Sequence, residues 1–127
     1  MEKLLRELAT ILQGIHSQTF LERNTSKVVS YPYATYNFDS EALRRNQDGF
    51  YIDIDVFDRA DTTAPVLLLE DKFKDGLLFK RHLTDDLFLV FSFQGSNKVP
   101  TGDDQLKRRN IRFYVTVDWR TKNYGIS

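Results

Sequence analysis

Leu106-Lys-Arg-Arg-Asn-Ile-Arg-Phe-Tyr-Val-Thr-Val-Asp-Trp119 is the stretch of sequence that decides the fold. From Ile111 onward, apolar side chains occupy every odd position, and polar or amphipathic ones occupy every even position. This period of two predicts a half-buried strand with one apolar face. Lys107, Arg108 and Arg109, here named the basic cluster, stand at the start of the stretch. The sequence therefore predicts a core strand whose first residues, the basic cluster, either bind a partner or are simply solvated.

Periodicity elsewhere in the chain predicts two helices and three more strands. Apolar residues recur at helical spacing over 2–15 and over 65–77, and Leu78 and Phe79 suggest one further turn. Strands are predicted at 33–38, 50–57 and 87–93. The expected class is α+β with the order α-β-β-α-β-β. Two antiparallel hairpins would share one sheet, with both helices packed on one face.

Two connections in this scheme are predicted to be long polar loops. They cover 39–49 and 94–105, and each exceeds the usual length of a hairpin connection. Long loops on a small rigid sheet often carry function. We therefore expect them to be the variable, contact-making parts of the fold.

Composition limits the possible classes of protein. A chain of 127 residues is expected to form a single domain, 1–127, with 120–127 as a frayed tail. Eighteen basic residues balance eighteen acidic ones, which argues against a free-standing nucleic-acid binder. The absence of cysteine excludes disulfides and cysteine-ligated metals. No signal peptide or membrane-spanning run is visible, so we expect a soluble chain with no membrane partner.

A carboxylate cluster raises the alternative of a metal-dependent nuclease. Asp53 or Asp55 with Glu70 and Lys72 has the residue types that hold a divalent ion and position a water molecule. However, Glu70 and Lys72 fall in a helical pattern, where residues two apart point in different directions. We therefore prefer to interpret these charged residues as a solvated strand face beside a surface helix. With no phosphate loop or nucleophile motif either, we expect no enzyme, no cofactor and no metal site.

The basic cluster has two further interpretations. It could bind phosphate beside Tyr51 and Tyr114 as stacking rings, which would make the chain a small nucleic-acid-binding module. Alternatively, its arginines meet acids on a neighbouring strand or subunit. The acidic strand face at Asp53 and Asp55 is a suitable partner by charge, although sequence does not show which strands are adjacent.

Several segments together resemble a known family. They are the leading amphipathic helix, Tyr31-Pro-Tyr33 opening a strand, Tyr51-Ile-Asp-Ile-Asp-Val-Phe-Asp58, the middle helix through Lys72, Leu77 and Leu78, and Asp104-Gln-Leu-Lys-Arg-Arg-Asn-Ile-Arg-Phe-Tyr-Val115. This order is similar to that of the small tail-completion proteins of long-tailed bacteriophages, which include tail terminators and tail-to-head joining proteins. The resemblance covers roughly residues 4–119, and its most distinctive part is the basic pair before the final aromatic-rich strand.

The resemblance implies a non-enzymatic structural protein of a virion or of a defective prophage. Such a protein would form a hexameric ring at the head-proximal end of the tail, after synthesis in the host cytoplasm. Its expected partners are further copies of itself, the tail-tube protein and the head connector or completion protein, with DNA only passing through the channel. The ring would stop tube polymerisation and offer a surface to the connector.

A ring requires one patch of each copy to meet a different patch on the next copy. Oppositely charged regions on a near-neutral chain suit such contacts, and the long loops would reorder on docking. The expected interface residues are Arg44, Arg45, Asp53, Asp55, Lys107, Arg108 and Arg109.

Overall fold

A computed structural model describes residues 1–120 of the chain. The frayed tail expected over 120–127 lies outside these residues, apart from Arg120. Two helices and six strands follow one another as α1 (Glu2–Ile15), β1 (Thr19–Leu21), β2 (Tyr33–Arg44), β3 (Gln47–Arg59), α2 (Ala64–Leu77), β4 (Arg81–Leu83), β5 (Leu87–Lys98) and β6 (Leu106–Trp119).

The six strands form one sheet in the order β1-β2-β3-β6-β5-β4. β2–β3 and β5–β6 are antiparallel hairpins, and the antiparallel pairing of β3 with β6 joins them at the centre. The predicted α+β class and the shared sheet are confirmed. The description as two antiparallel hairpins is incomplete, because β1 pairs in parallel with β2 and the sheet is mixed. β1 and β4 have three residues each, which is too short for a clear alternating pattern.

The core lies between the helices and one face of the sheet, here named the covered face. Apolar side chains from both helices and from alternate positions of the long strands form one buried cluster. α1 contributes Leu4, Leu8 and Leu12, while α2 contributes Phe73 and Leu77. The helices approach closely at Gly76, where an added Cβ would lie 2.7 Å from the Ile15 side chain. Gly76 is therefore inside α2 for a packing reason.

The predicted loop at 39–49 is wrong. β2 and β3 stay paired until Arg44 faces Gln47, so only Arg45 and Asn46 form the turn. The segment is polar because β2 is exposed here on both faces, and a backbone ladder needs no buried side chains. Gly49 leaves room for the Tyr114 hydroxyl group, because an added Cβ would overlap that oxygen and displace the ring.

The second predicted loop and the end of α2 also differ from expectation. β5 continues past a bulge at Gln94 as far as Lys98, which leaves 99–105 as the connection. Gly95, with φ of +146°, follows the bulge. The predicted extra turn of α2 does not form, because Leu78 is extended and Phe79 has a left-handed φ of +56°.

Candidate interaction surface

The face of the sheet opposite the helices, here named the uncovered face, carries most of the charged candidate residues. Because side chains alternate along a strand, those that neighbour the core positions of β3 and β6 point to this face. They include Tyr51, Asp53 and Asp55 on β3, and Arg108 and Arg112 on β6. The sequence-predicted acidic face and part of the basic cluster therefore lie on one surface.

The β3–β6 register brings opposite charges together across this face. Asp55 faces Asn110, and its Oδ1 accepts hydrogen bonds from Asn110 Nδ2 and Arg108 Nε, both at 3.3 Å. Asp53 faces Arg112, and their Oδ1 and Nε atoms lie 3.5 Å apart. The basic cluster thus meets the acidic strand within one chain at Arg108 and Asp55, while Asp53 pairs with a residue outside the cluster.

Arg109 lies on the covered face, unlike Arg108. Its Nε is 2.6 Å from Glu70 Oε1, and Ser96 Oγ donates to the other carboxylate oxygen of Glu70 at 3.2 Å. Only 20% of the Arg109 side chain and 5% of the Glu70 side chain are exposed. This ion pair ties α2 to β5 and β6. Arg109 has the same odd parity as Ile111 and Phe113, so extending the alternation back along β6 would have predicted its inward position.

The alternative nuclease constellation is not assembled. Glu70 packs on the covered face, whereas Asp53 and Asp55 lie on the uncovered face, so the sheet separates the carboxylates. Lys72 is exposed on α2 and is not oriented with Glu70. The Glu70 oxygens are already bonded to Arg109 and Ser96. A shared metal ion would require the strands and helix to separate.

Tyr51 and Tyr114, the predicted stacking pair, do pack together on the uncovered face. Their ring centroids are 4.8 Å apart in an edge-on arrangement, and Arg112 lies 4.5 Å above the Tyr51 ring. The Tyr114 hydroxyl donates to Glu41 at 2.8 Å. Burial, followed by this hydrogen bond, raises the pKa of Tyr114 to about 12. With Glu41 and Asp53 beside the rings, this pair does not form a positively charged platform for nucleic acid.

A second aromatic group on the uncovered face was not predicted from sequence. Tyr33 stacks on Phe57 with centroids 4.7 Å apart, and Tyr31 packs on Tyr33 at 5.4 Å. Arginines lie against both ends of this row, with Arg108 over Phe57 at 5.2 Å and Arg59 over Tyr31 at 5.8 Å. A cation–π contact of this kind attracts a guanidinium group independently of any carboxylate partner. Arg108 is therefore fixed by both Asp55 and Phe57.

The remaining basic candidates lie at opposite ends of the sheet. Arg44 and Arg45 are exposed at the β2–β3 turn and form no ion pair within residues 1–120. Lys107 is at the other end, where its Nζ donates to the Asp104 carbonyl oxygen. There it lines a shallow cavity of about 330 Å³ beside the 99–105 connection. The seven candidate residues therefore do not form one patch.

Neither helix among the described residues is long and apolar enough to cross a lipid bilayer.

Comparison with known proteins places the fold. No protein-family model and no curated protein matches the sequence. Among solved structures, the chain is similar to a chain in the virion of a native gene transfer agent particle, with a TM-score of 0.66. The match covers 84% of each chain at 15% sequence identity. This chain therefore has the fold of a protein found in a gene transfer agent virion.

Proposed function

We propose that this chain is a structural protein of a tailed-phage-type virion. It caps the tail tube and joins the tube to the head connector, acting as a ring of identical copies, most simply a hexamer. The observation that carries the proposal is the fold likeness to a virion chain over 84% of both chains. The resemblance of the sequence to tail-completion proteins points independently to the same class.

The distribution of charge supports a role in assembly. The arginines at the β2–β3 turn have no ion-pair partner within residues 1–120, and Lys107 lies at the opposite end of the sheet. A ring uses two different patches of each copy, and groups at opposite ends of one sheet suit that requirement. We propose Arg44, Arg45 and Lys107 as contacts to neighbouring proteins.

The other candidate residues would act in a different way. Asp53, Asp55 and Arg108 are held in ion pairs on the uncovered face and would present a fixed pattern of charge to a partner. Arg109 already binds Glu70, so it would act mainly by holding α2 against the sheet. A prearranged charge pattern favours the correct partner chiefly by penalising mismatched ones.

The proposed location is the head-proximal end of the tail of a virion assembled in the host cytoplasm. The partners are the tail-tube protein on one side and the head connector or completion protein on the other, with DNA passing through the ring. None of these contacts requires a catalytic step. Magnesium-dependent DNA cleavage by the purified chain that disappears in Asp53→Asn would overturn this assignment.

Electron microscopy of particles made without the chain tests the proposal. Abnormally long tails are expected if the chain terminates the tube, and separate heads and tails are expected if it joins them. Supplying the wild-type chain should restore normal particles, whereas an Arg44→Ala/Arg45→Ala variant should restore fewer. A matched Arg6→Ala variant, which removes an exposed arginine from α1, should behave as wild type. Normal particles in the absence of the chain would refute the proposal.

A further inference from the structure

The edge of β2 is open over most of its length. β1 covers only Ala34, Thr35 and Tyr36, so the segment 37–44 has no strand on its outer side within residues 1–120. From residue 39 to residue 44 every side chain is exposed, on both faces of the strand. A long unpaired edge is a template for another strand, and folded proteins usually shorten it, cover it, place charges on it or interrupt it with proline or a bulge. This edge carries Asp39, Glu41 and Arg44, but the segment is neither short nor covered. Here the ladder is regular up to Ala42.

Hydrogen bonds to β1 show which backbone groups point outward. Ala34 N–H donates to the Gln18 carbonyl, and the Tyr36 carbonyl accepts from Glu22 N–H. The backbone N–H and C=O groups of Ala34 and Tyr36 therefore point away from β3, to the outer side of β2. Backbone groups alternate along a strand, and the even-numbered residues that follow therefore also face outward. They are Phe38, Ser40 and Ala42. The open edge offers their three N–H groups and three carbonyl groups to an additional strand.

The opposite side of the sheet has a second open edge, on β5. β4 covers only Phe88, Leu89 and Val90, and the segment 92–98 has no outer partner in the described part of the chain. Val99 N–H donates inward to the Arg108 carbonyl, so the backbone N–H and C=O groups of the preceding residue, Lys98, point outward from the sheet edge. β5 runs antiparallel to β2, because three successive antiparallel pairings separate them. A second copy in the same orientation could therefore continue the sheet as an antiparallel pair.

From these two edges we infer that copies of this chain associate by adding the open β2 edge of one copy to the open β5 edge of the next. The inference rests on the proposed ring and names the contact that would build it. It joins two different patches, which is the arrangement that can close into a ring.

Charge is compatible with this pairing. The β2 edge carries Asp39 and Glu41 on the uncovered face, whereas segment 92–98 contains no acid. Its one cation, Lys98, lies opposite Arg109 and therefore points to the covered face. Asn97, which lies opposite Asn110, is a β5-edge residue that shares the uncovered face with these two acids. No like-charge repulsion therefore opposes the pairing of the β5 edge with the β2 edge.

The positions of the two open segments along the strand direction determine how far neighbouring copies would be shifted relative to each other. Ser92 lies level with Tyr114, Tyr51 and Asp39 across the sheet, so 92–98 runs from this level towards the Ala34 end. The open part of β2 extends mainly the other way, towards the turn. Full pairing would shift each copy along the strands, and the strands would incline to the ring axis as they do in closed sheets.

A proline substitution at the β2 edge provides the test. Ser40→Pro removes one outward N–H and places a ring at the edge while sparing the ladder to β3, and edge strands tolerate such prolines. Ser40→Ala keeps the N–H and is the matched control. Analytical ultracentrifugation of the purified chain over a concentration series should show self-association for wild type and Ser40→Ala. Ser40→Pro should weaken it by about tenfold or more.

Charge exchange gives a second test that does not depend on tolerance of proline. Asn97 lies opposite Asn110 on the uncovered face, so Asn97→Glu would place a carboxylate beside Asp39 and Glu41 of the next copy and should weaken self-association. A mixture of Asn97→Glu with Asp39→Lys/Glu41→Lys should recover association. Circular dichroism must show the wild-type spectrum for each variant compared. Recovery in the mixture is expected only for a contact between the two different edges.

The outcomes separate this inference from the proposed function. A wild-type chain that stays monomeric at all concentrations overturns edge pairing, as does a folded Ser40→Pro variant that associates as well as wild type. Association that is unchanged in the charge-exchange variants would also overturn edge pairing. The virion role is judged by particle morphology in the absence of the chain. Defective particles together with any of these results would leave the function standing and remove only the edge contact.

Discussion

The ion pair between Arg109 and Glu70 should dominate the stability contributed by charged side chains. Replacing Glu70 with leucine leaves the Arg109 guanidinium in a site where only 20% of its side chain is exposed, without its 2.6 Å partner. Breaking a buried pair from one side typically costs about 3–5 kcal/mol, because one charge stays desolvated and uncompensated. Folded domains have only about 5–15 kcal/mol of total stability. We therefore expect a large loss of unfolding free energy in urea denaturation.

Matched variants distinguish a desolvation penalty from simple loss of packing. Glu70→Leu/Arg109→Met removes both charges and should recover most of the loss, because a buried pair can often be replaced by apolar side chains at little net cost. Arg6→Ala breaks an exposed pair with Glu2, where 69% and 89% of the side chains are exposed, and should cost less than about 1 kcal/mol. The reasoning is refuted if Glu70→Leu costs no more than Arg6→Ala. It is also refuted if the double variant is as unstable as Glu70→Leu alone.

Three further predictions concern single positions. Gly49→Ala should lower the unfolding free energy by about 1–2 kcal/mol, because its Cβ would displace the Tyr114 ring, and Gly49→Ala/Tyr114→Ala should cost less than the sum of the single changes in denaturation experiments. The folded-state pKa of Tyr114, about 12, lies above its ordinary value of 10.0, so its contribution to stability is complete below pH 10 and is lost as the pH rises to about 12. Tyr114→Phe should remove this part of the alkaline loss, and an unchanged stability profile between pH 10 and 12 would contradict the assignment. Phe79→Gly should raise the melting temperature, since the left-handed backbone costs a non-glycine residue about 1–2 kcal/mol and residue Phe79 is 79% exposed; a lower melting temperature would show that the ring packs usefully.

The sequence was most informative where side-chain burial and periodicity coincide. The observed α1 and α2 match the apolar repeats closely, and the cores of β3, β5 and β6 match the alternation that predicted them. The hairpin extensions were missed because 39–44 and 94–98 pair through their backbones while most of their side chains face solvent. Backbone pairing leaves no hydrophobic period when neither face of a strand is buried.

The pairing of charges could be anticipated only in part. Opposite charge suggested that the basic cluster meets Asp53 and Asp55, and Arg108 does bind Asp55. That Asp53 instead pairs with Arg112 depends on which β6 residue lies opposite it. A shift of one residue moves every side chain to the other face, so the partners require a register that sequence does not supply.

The central pairing of β3 with β6 has a consequence for how the chain is made. α2, β4 and β5 are all synthesised between these two strands, so the middle of the sheet cannot close until β6 has left the ribosome. Until then, the β2–β3 hairpin carries Phe50, Ile52 and Ile54 without the strand that completes their layer. Pairings between strands distant in sequence form slowly, and exposed apolar strands aggregate in the meantime. Nascent chains that lack β6 should therefore depend on chaperones, and assembly can begin only from chains whose synthesis has passed Trp119.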